Sequence, residues 1–212
     1  MRKFMDGDAV LFGFEKMRAS FWFLVGAMLI ALLVSLISSA VNSFVPQENT
    51  SVALIILTFV VSLIIWVLGI IIHMGMINIS LKLSNNEKCK YADLFNSYTL
   101  FFKYLFGGIL YALIVLIGLV LLIFPGIIWA VKLQFWPYLV VDKKMGPIQA
   151  LVKSSAMTTD AEWSLLLFVL LLGAVNVIGA LCLLVGLFAT VPATMIAYAY
   201  VYKKLAGSAK TA

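Results

Sequence analysis

One charge interrupts the long apolar runs of this sequence. Lys132 stands in LIFPGIIWAVKLQFWPYLVV, seven residues past Pro125, so on a helix it lies about 10 Å beyond that proline. A lysine at the centre of a membrane helix costs roughly 2.5–3.5 kcal/mol on insertion scales, so something must compensate. Trp129 and Trp136, three before and four after it, share its helical face and offer cation–π contacts. The plainer reading is a lysine that snorkels to the outer interface. The sharper one is an anchor for an anionic lipid phosphate or an anionic substrate.

His73, Asn78 and Asn176 are the other polar side chains whose place in apolar surroundings asks for a reason. Such groups ordinarily hydrogen-bond a neighbouring helix, for about 0.6 kcal/mol each. A proton relay needs carboxylates inside the spans, and all nine acids fall in loops or termini. With one histidine, no glycine-rich phosphate loop and no metal-ligand spacing, no catalytic constellation is legible. Neither a cofactor nor a metal is implied. Cys89 lies in a polar loop and Cys182 in an apolar run, so a disulfide between them is not expected. Asp142 and Asp160, with lysines nearby, read as solvated loop charges.

What surrounds these residues is lipid-like. Of 212 residues 64% are hydrophobic and 11% charged, with mean hydropathy +1.12; a soluble domain is roughly 45–50% apolar and about 25% charged. The net charge of +6 comes from short basic clusters beside apolar runs, with no stripe of basic and aromatic residues. That excludes a nucleic-acid groove and fits membrane orientation. The first apolar run exceeds a signal peptide's core, so it is read as a retained span.

Crossing about 30 Å of hydrocarbon takes about 20 residues. Residues 20–41 supply one crossing and a polar turn at 42–50 follows. The uncharged run 51–81 is read as one long crossing. Residues 163–202 hold no charge over 40 positions, twice the membrane thickness, so they must fold back near Gly186 to Pro192. The stretch from Tyr104 to Val141 folds back at Phe124-Pro125-Gly126, with Pro125 starting the returning helix at no hydrogen-bond cost. The expected fold is all-α, with six transmembrane helices as three hairpins: 20–41, 51–81, 104–123, 126–141, 163–185 and 188–203. This count puts every Lys and Arg outside the spans on one side, hence both termini in the cytoplasm of a multi-pass cell-membrane protein. Ala27, Ala31, Ser35 and Ser39 make a ladder of small residues along the first span. It suits close helix packing, or a seam between copies in a homo-oligomer.

Three short stretches precede the hairpins: Asp8 to Arg18, Tyr91 to Lys103 and Gly146 to Met157. Each mixes apolar and polar residues at helical spacing, as an interfacial amphipathic helix would. The Phe-Pro-Gly turn at 124–126, Lys132, Pro137, Val140-Val141-Asp142, Gly146, Ala150-Leu151 and Ser154 carry a resemblance. So do Gly186, Thr190-Val191-Pro192 and Tyr198-Ala199-Tyr200. The chain resembles a bacterial membrane family known as the membrane domain of some glycerophosphodiester phosphodiesterases, with stand-alone relatives of unknown function. That resemblance implies a polytopic membrane protein and no particular reaction. A phosphodiesterase barrel takes about 250 residues, and no extramembrane segment here approaches that. The expected function is a non-enzymatic scaffold or accessory protein that presents interfacial helices to membrane lipids or a membrane partner. The alternative is a transporter or lipid-handling protein using a polar site near Lys132.

Overall fold

The computed structural model describes residues 6–43, 52–182 and 186–208, and among these it contains helices and no strand. The helices are α1 Asp6–Ala19, α2 Phe21–Ser43, α3 Val52–Ser84, α4 Phe101–Leu121, α5 Ile123–Leu133, α6 Trp136–Lys143, α7 Pro147–Thr158, α8 Glu162–Leu181 and α9 Leu187–Ser208. Among the described residues five stretches are long and apolar enough to cross a membrane: Phe21–Val41, Val52–Ser84, Tyr91–Leu121, Ile123–Lys143 and Glu162–Leu181. This is the pattern of a multi-pass membrane protein. The span expected at 188–203 lies in α9, which is not among the five. Its Ala-, Thr- and Tyr-rich sequence carries Lys203-Lys204 near its end. It packs against α1, α3 and α8, so it needs little apolar surface of its own.

Packing divides the molecule into a dense base and thin arms. Every buried residue of α3 lies between Ile72 and Leu83, and none between Val52 and Ile71. Among the described residues of α2 only Leu24 and Ala27, near its start, are buried. The base joins those ends to α1, α6, α7 and the second half of α9, around Phe135, Tyr138, Leu139, Val140 and Tyr202. Tyr138 stacks on Tyr198 with ring centres 6.0 Å apart and on Tyr202 at 5.5 Å. Tyr202 donates to Asp142 Oδ2 at 2.8 Å, and Lys203 donates to the Leu81 carbonyl at 2.6 Å. Lipid tails are as apolar as leucine, so burying leucine does not drive helices together in a bilayer; contact and hydrogen bonds do. The base has both.

Several expectations change on the structure. The stretch 91–103 is not one amphipathic helix: it forms 3-10 turns at Tyr91–Leu94 and Tyr98–Leu100 before α4 begins. The cause is Asp93, buried and bound by Lys82 Nζ at 2.6 Å, the Lys90 N–H at 2.8 Å and Asn96 Nδ2 at 3.0 Å. These bonds compete with a regular helix for the local backbone. The turn expected at Phe124–Gly126 falls at Leu122, the one extended residue between α4 and α5 (φ −160°, ψ 135°). Pro125 is the third residue of α5, still within the first turn, where N–H groups have no helical partner. The span expected at 126–141 is not one helix either, since α5 ends at Leu133 and α6 starts at Trp136. Pro137 has no N–H to give the Leu133 carbonyl, and its ring crowds that carbonyl. Pro192 does not make the last turn. It lies inside α9, while Gly186 closes the turn through an Ala189 N–H bond to its carbonyl at 3.0 Å.

Candidate functional site

The α5–α6 break exposes backbone groups that need partners, and α7 supplies them. Ser154 Oγ donates to the Lys132 carbonyl at 2.9 Å and accepts from the Phe135 N–H at 3.1 Å. Thr158 Oγ1 reaches the same carbonyl at 3.0 Å. Both hydroxyls are fully buried. The helix from Pro147 to Thr158 is therefore a wedge that holds a broken helix in shape, with Ala150, Leu151 and Met157 also buried.

Lys132 is not a lone cation. Its Nζ lies 3.0 Å from Glu162 Oε1 at the start of α8, each side chain about a quarter exposed. The partner is 30 positions away in sequence and invisible to a reading of helix faces. The two tryptophans turn elsewhere. Trp136 is buried against Tyr104, with ring centres 4.8 Å apart, and near Tyr111 at 6.3 Å. Trp129 packs at Gly118 of α4. A groove of about 330 Å³ lies beside Lys132, lined by Phe124, Ile127, Val131, Glu162 and Trp163 among others.

The polar residues converge elsewhere, between the arms. His73 Nδ1 is 2.9 Å from the Tyr104 hydroxyl. Asn176 Nδ2 donates to Thr194 Oγ1 at 3.3 Å, and Thr194 passes its own proton to the Val191 carbonyl at 2.9 Å. That order fixes the amide, because the Thr194 oxygen is free only to accept. Asn176 Oδ1 is then left buried with no partner among the described residues. Gln134 is similar: its Oε1 accepts from the Tyr198 hydroxyl and its Nε2 is buried without a partner.

These groups line two adjoining cavities. One of about 880 Å³ is bounded by α2, α3, α8 and α9 and includes Ala31, Ser35, Ser38, His73, Asn176 and Thr194. The other, about 440 Å³, includes Gln134, Trp136, Tyr138 and Tyr198. His73, Thr194 and Met195 belong to both. Among the described residues no Lys, Arg, Asp or Glu lines either one. A buried polar atom without a partner costs about 1–3 kcal/mol, so the orphaned amide ends favour a guest able to bond them.

The remaining candidates are placed as follows. Asn78 lies away from the chamber and donates to the Asp93 carbonyl at 3.3 Å, tying α3 to the first 3-10 turn. Along the small-residue ladder only Ala27 is buried; Ala31 is half-buried, and Ser35 and Ser39 are exposed. Gly126 is a close-approach residue, since a Cβ there would lie 2.6 Å from the Leu119 nitrogen. A Cβ at Gly186 would overlap Gly179. Sequence reasoning singled out His73 and Asn176 but missed Gln134, Tyr104, Thr194 and Tyr198. Glutamine two residues past an intramembrane lysine was the available signal. No family model, no curated protein and no solved structure matches this chain.

Proposed function

We propose that this chain is a lipid-handling membrane protein that holds an uncharged, hydroxyl- or carbonyl-bearing amphiphile between its arms, without catalysing a reaction on it. The observation that carries the reading is the chamber: about 880 Å³, within the range of small-molecule sites, apolar over most of its wall, with the unpartnered amide end of Asn176 on it and that of Gln134 in the adjoining cavity. Without a lining cation, a phosphate headgroup inside would be unpaired at high cost. That argues for a neutral guest and moves the site from Lys132, already neutralised by Glu162, to His73 and Asn176. The likeness at Leu122 to Ser155 to the membrane family of glycerophosphodiester phosphodiesterases belongs to the same proposal and adds no reaction. The base carries the basic clusters, which supports a cytoplasmic base with both termini on that side.

The scaffold reading rests on free interfacial helices, and the packing weighs against it. Here α1 lies along α9 and α7 is wedged against α4 and α5. The test is extraction of bound lipid from protein purified in mild detergent, followed by mass spectrometry. Wild type should be enriched in an uncharged lipid relative to the bulk membrane, and Asn176→Leu should lose that enrichment while remaining folded. Bulk lipid ratios in both proteins would remove the reading.

A further inference from the structure

We propose that the groove between α5 and α8 binds a zwitterionic phospholipid, with the phosphate on Lys132, the headgroup ammonium on Glu162 and one acyl chain along α5. Among the described residues the groove shares no lining side chain with the chamber or its adjoining cavity, so its occupant is independent of what fills the chamber.

The apolar wall comes first. Phe124, Ile127, Ile128 and Val131 of α5 and Leu166 of α8 line the groove, which encloses about 330 Å³. Phe124 and Val131 are seven residues apart, about 10 Å of helix rise. Ile127 and Ile128 are 40% and 38% exposed, whereas Val120, Leu121 and Leu122 nearby are 67–78% exposed. The wall is therefore a sheltered strip that starts beside Lys132 and opens at Phe124. An acyl chain follows the same course, from a polar end at the interface into the hydrocarbon. Lipid tails surround every such helix and are as apolar as leucine, so the wall alone selects no lipid. Selection falls to the polar end.

Among the described residues Lys132 and Glu162 are the two charged side chains of that end. Their Nζ–Oε1 distance is 3.0 Å, and each side chain is about a quarter exposed. The contact with Oε1 uses one of the three ammonium donors of Lys132, and a carboxylate can accept several bonds. Both groups thus keep capacity for a guest. A phosphate accepts from Lys132 and a headgroup ammonium donates to Glu162, so the charges of site and guest alternate in sign. A headgroup with a phosphate and no cation would set its charge beside Glu162 with nothing to offset the repulsion. Asp160, exposed two residues earlier, adds a further acid on that side. The level is also suitable: the charged loop before Glu162 belongs at a water interface, and Trp163, which lines the groove and is 70% exposed, is a residue type that collects among headgroups.

The test is native mass spectrometry in mild detergent with an equimolar mixture of a phosphatidylethanolamine and a phosphatidylglycerol that carry the same acyl chains. Wild type should retain the ethanolamine lipid several-fold more than the glycerol lipid. Lys132→Met and Glu162→Gln should each abolish the preference, and Lys132→Arg should keep it, because charge and donors remain. Ile128→Trp fills the groove without touching the ion pair and should lower retention of the ethanolamine lipid several-fold. Asn176→Leu lies in the chamber and should leave the preference intact, which separates a failure here from a failure of the chamber reading. Thermal unfolding checks that each variant is folded. Equal retention of the two lipids by wild type, or a preference that survives either Lys132→Met or Glu162→Gln, would overturn the proposal.

Discussion

The α2–α3 and α4–α5 hairpins are made from similarly apolar helices, yet they are anchored differently. In the first, α3 is 33 residues long, and only its last third meets the base. Its first half has α2 beside it but no buried residue. In the second, a single extended leucine joins the helices, Gly118 and Gly126 bring them into backbone contact, and a wedge from α7 pins the base end. Lipid supports the first arm along its length, while the second depends on the base. Position relative to the base, more than hydrophobicity, therefore decides how much a residue matters.

Two glycines of α3 give the sharpest way to break this comparison. A Cβ at Gly75 would overlap the Leu94 backbone, whereas one at Gly69 meets nothing within 4 Å. Gly75→Ala should push the first 3-10 turn off α3 and cost about 3 kcal/mol or more, since backbone cannot move aside as a side chain can. Gly69→Ala should leave stability unchanged or raise it by up to about 1 kcal/mol, through helix propensity. Thermal unfolding in one detergent reads both. Equal losses would mean that the arm of α3 is packed after all, by a partner or a second copy.

The α7 wedge comes next in size. Ser154→Ala leaves the Phe135 N–H without its bond, and Thr158→Val takes one donor from the Lys132 carbonyl. Each unpaired buried group costs about 1–3 kcal/mol. The double variant should lose more than either single one, because both hydroxyls serve the same carbonyl and a survivor partly compensates. Hydrogen exchange should show the loss first at Leu133–Trp136. Unchanged protection there would mean that the α5–α6 break does not need the wedge.

How much of this could be read in advance depended on how local the cause was. The lengths of the apolar runs and the polar turn at 42–50 report on the chain's own solvent, so the helical membrane class was legible. The break at Pro137 was legible in principle, since proline removes a specific hydrogen bond, and the α4–α5 turn lies within two residues of Phe-Pro-Gly. Asp93 turning Tyr91–Leu94 into a 3-10 turn was hidden because its first partner, Lys82, lies on another helix. The chamber was half legible: His73 and Asn176 stood out as polar groups in apolar runs, but their partners Tyr104 and Thr194 look like ordinary residues until the arms are placed. Cys89 shows the same limit. Its thiol is pushed up to about 11, by burial first and then by the Asp93 carboxylate, so it should react slowly with maleimides despite lying in a polar loop.

The smallest expected effect concerns the ion pair that ties α5 to the start of α8. Lys132 and Glu162 are each about a quarter exposed, and ion pairs open to solvent contribute about 0.2–1 kcal/mol. Lys132→Met should therefore lower stability only slightly, since the lost attraction is offset by the gain from a more apolar helix. Glu162→Gln should cost a similar amount. The double variant should resemble either single one, because once one partner is gone the other's removal takes nothing further from the pair. An anionic lipid held by Lys132 predicts a different cycle. Glu162→Gln would then release a competitor, strengthen lipid retention and stabilise the protein by mass action, while Lys132→Met would strip the lipid. Native mass spectrometry with anionic lipid, run on all four proteins, separates the two. Equal lipid occupancy across the four, with stability losses that do not add, leaves the lysine as a tie between α5 and the charged loop at the start of α8.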